Sequence, residues 1–383
     1  MAIGKLLLGF VILLFIGGVS QAAPVRIGLS LGLTGKYAPL AKMQEQAYRL
    51  WETHTNDAGG LLGRKIQLVI HDDQGDAGLA QKIYERMIDE ENMDLLFSPY
   101  SSDLTDAIAP IAEKYGYPLL AAGASADSIW MHGYRYVFGV YSPASMYTLG
   151  FVEMALAQDL TKLAIVTADD PFSESLAKGT DKWADRLGLQ VVFRKTFKND
   201  MVNLDPIAES VKISGAEALI VCGHFDEAVN MRQALQNIGW YPKAYYASVG
   251  PVLQTYYDRL GDKAENTFSS TQWMYYDKLP FPGGKAFHQS FLATYNVEPT
   301  YHAAAAYAVG VLLTQAVQKT GSLDRKRIRD ALASMDMMTM LGRYGVDRTG
   351  VQIRHFSLII QWINGRQEVV WPSELSTTAP LFQ

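Results

Sequence analysis

The sequence predicts an α/β protein of two lobes, each built on a parallel sheet covered by helices. Short β-branched runs alternate with amphipathic stretches along most of the chain, the pattern of parallel strands with helical crossovers. That series occurs twice, with a break near Tyr141-Ser142-Pro143, where an extended piece hands over to a new helix. After "NTFSSTQWMYY" the pattern changes to helices and one hairpin, which offers too few strands for a third parallel lobe.

The first series contributes strands at "VRIGLSLG", "KIQLVIH", "DLLFS" and "YPLLAAG", with helices over about 38–57, 77–91 and 103–115. The second contributes "LAIVTAD", "LQVVFRKTF", "EALIVCGH" and "KAYYASV", with helices over about 144–158, 172–187, 204–213, 225–238 and 252–260. Near-continuous apolar strands of this kind are buried on both faces. The tail reads as helices over about 284–296, 300–320 and 324–334, then "HFSLIIQWINGRQEVVW", a hairpin with Asn364-Gly365 in its turn. Ala303 to Val317 is apolar but short for a membrane span and contains Tyr307 and Gln315, so a buried core helix is expected there.

Composition narrows the function. The chain has 383 residues, 49% hydrophobic and 19% charged, enough for cored domains. A net charge of −5 without any basic run gives no footprint for nucleic acid or anionic lipid. Residues 1–23 read as a secretory signal: Lys5 precedes an apolar stretch from Leu6 to Val19, and Ser20-Gln21-Ala22 supplies small residues for cleavage. No cysteine follows that stretch, so no lipid anchor is expected. Cys222 alone cannot form an internal disulfide, and export without disulfides suits a bacterial periplasm.

Two hydroxyl-rich loops, Tyr100-Ser101-Ser102 and Gly123-Ala124-Ser125, each follow a strand and lie where open α/β sheets bind ligands. Together with helix N-termini they are expected to form a donor cradle for a carboxylate or another small anion. Tyr37, Tyr100, Tyr141, Phe172 and Phe225 stand at or just past strand ends on the same side and are candidates to line the site. Catalytic signatures are weak by comparison. "AAGASADS" lacks the second glycine of a nucleophile elbow, and "GGLLGRK" lacks phosphate-loop spacing. "HDDQGD" reads as a strand end with helix-capping carboxylates, and Cys222 beside His224 as a buried thiol; no metal or cofactor site is expected.

Six strings in order, "IGLSLGLTGKYA", "DAGGLLGRKIQLVIHDDQGD", "SPYSSDLTDAIAPIAE", "YPLLAAGASAD", "MRQALQNIG" and "TYHAAAAYAVGVLL", resemble the periplasmic substrate-binding proteins of the leucine/isoleucine/valine-binding type. The resemblance implies the type I periplasmic-binding fold, two doubly wound parallel-sheet lobes joined by a hinge of three crossings. It divides the chain into residues 24–143 with about 273–350, and 144–272 with about 351–383. Carried over by motif, Ser102 bonds a ligand carboxylate, Gly123 offers backbone contact, and Ser125 stands where the family has threonine; Ser101 and Ala124 belong to the same two loops. The second lobe departs from the pattern. Val249 occupies the position of the acidic residue that pairs with an amino acid's ammonium, and the accompanying tyrosine falls near Gly223 to Phe225, around His224. An ammonium would then need Asp170 or Asp226 as its partner.

The expected function is therefore a periplasmic solute-binding component of an ABC importer, a monomer without enzymatic activity. It would deliver a small carboxylate-bearing solute, aromatic or apolar in preference to a branched-chain amino acid, to an inner-membrane permease. A sensory binding protein of the same fold is the first alternative, and a secreted serine hydrolase using Ser102 or Ser125 the remote one.

Overall fold

A computed structural model describes residues 22–279 and 281–383, so the expected leader falls almost wholly outside the described residues. The first sheet centres on β1 (Val25–Leu31), which pairs in parallel with β2 (Ile66–Asp72) on one side and β3 (Leu95–Leu96) on the other. Helices α1 (Ala38–Asp57), α2 (Ala77–Asp89) and α3 (Ser102–Tyr115) connect these strands and continue the chain. Strand β4 (Leu119–Ala121) does not join that ladder. It pairs in parallel with β5 (Val137–Gly139), a short strand that the alternation of the sequence does not reveal.

The helix expected from residue 144 begins instead at α4 (Leu149–Ala157), after a single 3-10 turn over Ala144–Met146. The amides of that turn are drawn outward, Ala144 N to Ser125 O at 2.8 Å and Ser145 N to Asp127 Oδ2 at 3.1 Å. The second sheet then follows: β6 (Lys162–Ala168), α5 (Pro171–Leu187), β7 (Gln190–Phe197), α6 (Asp205–Ile213), β8 (Ala218–Cys222), α7 (Phe225–Asn237), β9 (Ala244–Ala247), α8 (Gln254–Leu260) and β10 (Thr267–Thr271). A 3-10 turn at Gly250–Val252 takes the place of the first residues expected in α8. Strand β10, "TFSST", carries no apolar run, yet all five residues are buried. Its hydroxyls are satisfied internally, Ser269 on Ser248 O at 2.7 Å and Ser270 on Tyr147 O at 2.6 Å, which is how a polar strand sits in a core.

The chain then returns to the first sheet through α9 (Gly284–Tyr295), α10 (Tyr301–Thr320) and α11 (Arg325–Ala333), followed by the small ribbon β11 (Met337–Met338) and β12 (Arg343–Tyr344). Helix α10 packs along α1, and the Trp51 indole fills the space beside Gly310, where a Cβ would come within 2.2 Å of the ring. No helix among the described residues is long and apolar enough to cross a membrane. The hairpin β13 (Leu358–Ile363) and β14 (Arg366–Trp371) finally adds two antiparallel strands to the second sheet, in the order β14-β13-β10-β9-β8-β6-β7. Its turn residues Asn364 and Gly365 have φ of 52° and 72°, the left-handed pair that such a two-residue turn demands.

The chain thus passes between the two sheets three times, and the passages are tied to one another. Ser142 donates from its amide and its hydroxyl to Gln272 Oε1, at 3.1 and 3.0 Å, and Gln272 Nε2 donates to Ser357 Oγ at 2.8 Å. All three side chains are buried.

Candidate functional site

Loops from both sheets line a narrow cavity between the lobes. Its wall includes Tyr100, Ser101, Ser102, Gly123, Ser125 and Tyr141 from the first lobe, with Phe172, His224 and Val249 from the second. These are nine of the twelve residues that the sequence nominates, each at or just beyond the carboxyl end of a strand.

The two serine loops hold each other. Ser102, the first residue of α3, accepts at Oγ from the amides of Ser125 and Ala126, both at 3.1 Å. With both lone pairs occupied, the Ser102 hydroxyl retains only its proton to offer, which suits a carboxylate. Ser125 Oγ in turn accepts from the Tyr147 hydroxyl at 3.1 Å. Gly123 is required by packing: a Cβ there would lie 2.5 Å from Tyr100 Cδ2 and 3.0 Å from Gln44 Nε2. Ser101 turns aside to bond the Asp103 carboxylate. The hydroxyls of Ser102 and Ser125 therefore engage amides and a phenol, and neither is bonded to a histidine or carboxylate that could act as base.

Three nominated residues stand off the wall. The Tyr37 hydroxyl donates to Asp103, 3.2 Å from Oδ1, while its ring packs against Tyr100 and, across the cleft, His224. Burial, reinforced by the Asp103 charge, pushes its phenol well above the ordinary range. Ala124 is buried behind its loop, and Phe225 lies beneath the Arg259 guanidinium, 5.4 Å from its ring centre. Strand-end position brings such residues near a site, but it does not set where a side chain points.

Three wall residues were not legible from strand ends: Tyr147, and Tyr301 with His302 at the start of α10. Only "TYHAAAAYAVGVLL" among the family-like strings hints at the last two. Burial, then the facing His224, pushes His302 down to about 3, so the ring is neutral. The rest of the wall is aromatic, with Tyr141 edge-on to Tyr301 at 5.3 Å and Tyr147 edge-on to Phe172 at 5.6 Å.

The second lobe brings no acid to the wall. Val249, on that wall, is apolar and 3% exposed. Asp170, buried, caps α5 by accepting from Ser173 N at 3.0 Å and Ser173 Oγ at 2.7 Å; it stands behind His224, whose Nδ1 is 3.8 Å away. Asp226 points outward and pairs with Arg259 at 3.3 Å.

The other sequence candidates have structural duties. Asp76 caps α2 through Leu79 N at 2.6 Å, and buried Asp73 accepts from Ser30 and Gly75, with burial raising its carboxyl to about 6. Cys222 is fully buried, and burial pushes its thiol up.

Comparison with known proteins agrees with this architecture. A family model described as "periplasmic binding protein" matches residues 24–367. The Leu/Ile/Val-binding protein homolog 7 of Brucella suis is 25% identical, with 94% of each chain covered. Among solved structures, the branched-chain amino acid transporter substrate-binding protein of Streptococcus pneumoniae, in complex with isoleucine, superposes with a TM-score of 0.83 at 21% identity, covering 91% of this chain and 100% of the other. An ABC transporter solute-binding protein of R. palustris, in complex with benzoate, superposes at 0.80 with 20% identity, covering 93% and 98%. These likenesses establish the type I periplasmic-binding fold.

Proposed function

Because this chain belongs to the periplasmic binding protein family, we propose that it captures a small carboxylate-bearing solute between its lobes and delivers it to an inner-membrane ABC permease. It performs no chemistry on that solute. One observation carries the reading: the Ser102 hydroxyl faces an aromatic cavity with both lone pairs filled by backbone amides, leaving its proton for an anion.

Aromatic or apolar acids are favoured over branched-chain amino acids. Relatives have been solved with either kind of ligand, isoleucine in one and benzoate in another. Here the wall offers phenyl and phenol faces, and Val249 provides no charge for an ammonium, which would be desolvated without a partner. Ser125, Gly123 and Tyr100 complete the first-lobe grip; Phe172 and His224 close the second.

Thermal-shift and calorimetric titration of the mature protein against benzoates, short aliphatic acids and amino acids test the assignment. A ligand at 100-fold above its Kd adds about 2.7 kcal/mol to the folded state. Mass spectrometry should recover the solute unchanged. Tight binding of leucine with indifference to every non-amino acid overturns the preference, and turnover of the solute overturns the role.

A further inference from the structure

Among the described residues, one polar atom of the cavity wall is fully buried and still unpaired. Tyr141 is 4% exposed and lies on the wall, and its hydroxyl has no hydrogen-bond partner. One N–H of the Gln44 amide is taken by the Ala122 carbonyl at 2.7 Å, and the other, which approaches the phenol, is a donor and offers no acceptor for the Tyr141 proton. A buried donor without a partner carries a desolvation penalty, which a fold tolerates where a bound molecule relieves it. The ring cannot readily turn away, because Tyr301 packs edge-on against it and Ser142, the next residue, is fixed to Gln272.

The rest of the wall says what the relieving group is. A phenol donates, so its partner is an acceptor. Ser102 and Ser125, on their own two loops, already offer hydroxyl protons to a carboxylate. Four long helices, α3, α5, α7 and α10, begin at or beside wall residues and bring positive dipole ends to the cavity, while no acidic side chain is among its lining residues. Taking the cavity as the carboxylate site proposed above, we infer that Tyr141 selects solutes carrying a second oxygen acceptor besides the carboxylate, and no ammonium: hydroxy or oxo acids in preference to the plain acids of the same skeleton.

Calorimetry on wild type and Tyr141→Phe tests this with benzoate and the three hydroxybenzoates, isocaproate and α-hydroxyisocaproate, and leucine. In the wild type at least one hydroxy acid should bind about tenfold tighter than its parent acid, as one added hydrogen bond allows. Tyr141→Phe should erase that advantage, bringing the Kd ratio of hydroxy acid to parent acid to about one whatever the change in either Kd alone. Without ligand the variant should melt no lower than the wild type, since the deleted hydroxyl had no partner. Equal losses for parent and hydroxy acid would mean that Tyr141 holds the carboxylate itself, and no hydroxy-acid advantage in the wild type would mean that it selects nothing; either result overturns the inference while the carboxylate site stands. Binding of leucine alone, or of no acid, removes the underlying assignment and the inference with it.

Discussion

The Tyr147 hydroxyl donates to Ser125 Oγ at 3.1 Å, and this bond spans the cleft. Tyr147 is anchored to the second sheet through its carbonyl, which accepts from Ser270, whereas Ser125 belongs to the loop after β4. A bond across the cleft favours closure, and under the proposed function it orients a hydroxyl offered to the carboxylate. Tyr147→Phe should therefore open the unliganded protein, raising its radius of gyration in small-angle scattering, and weaken solute binding by up to about tenfold, the worth of one neutral hydrogen bond. Scattering and affinity both identical to wild type would sink this reading of the bond.

Ser102→Ala should weaken carboxylate binding by roughly 1.5–3 kcal/mol, since the lost bond is to a charged group. It also strands the amides of Ser125 and Ala126, so a modest drop in melting temperature is expected alongside. Ser102→Thr keeps the hydroxyl and should recover most of both. Calorimetry that finds full affinity in a folded Ala variant removes Ser102 from the site.

Val249→Glu places a carboxylate in a wall that now contributes apolar burial, at about 25 cal/mol per Å². Binding of aromatic acids should fall sharply, and affinity for leucine should rise by restoring an ammonium partner. Competition titrations with benzoate and leucine read both changes at once. If wild type already prefers leucine, the charge must come from elsewhere, and Asp170 behind His224 is the group to mutate next.

Acid should destabilise the protein in a definable window. Burial holds His302 at about 3 and His355 at about 4, against an ordinary 6.5. The unfolded chain takes up these protons as pH falls through 6.5 and the folded chain does not, so this stability is complete above that pH and lost below it. Asp73, raised from 3.8 to about 6, acts in the opposite sense and gains as pH falls through 6. Near pH 5 each histidine costs about 2 kcal/mol and Asp73 offsets about 1 kcal/mol, a net loss. Melting temperature should drop between about pH 7 and 5, and His355→Gln should flatten the drop; a flat wild-type profile contradicts the assignment.

The sequence discloses most of the fold because period and composition act locally. Apolar runs such as "EALIVCGH" can be satisfied only as buried strands, and Asn364-Gly365 fits only a tight hairpin turn. What it conceals is held together over distance. β10 is missing from the strands read in the sequence because its stability rests on hydroxyl bonds to Ser248 and Tyr147, outside the strand itself. The same holds at the site. Ser102 and Val249 follow from strand ends and family motifs, whereas Tyr301 and His302 reach the cavity through the packing of α10 on α1. Tyr37 shows the converse, since the strand-end rule finds the residue but the Asp103 carboxylate claims its hydroxyl.

Ser142, Gln272 and Ser357 sew the three inter-lobe passages together at one level. Tethers bonded to one another in this way should resist sliding and twisting more than bending. The soft coordinate expected of such a hinge is the angle between its lobes. A solute one methyl group too large is then expressed mainly as a wider angle, and any surface that touches both lobes at once can gauge that angle without meeting the solute.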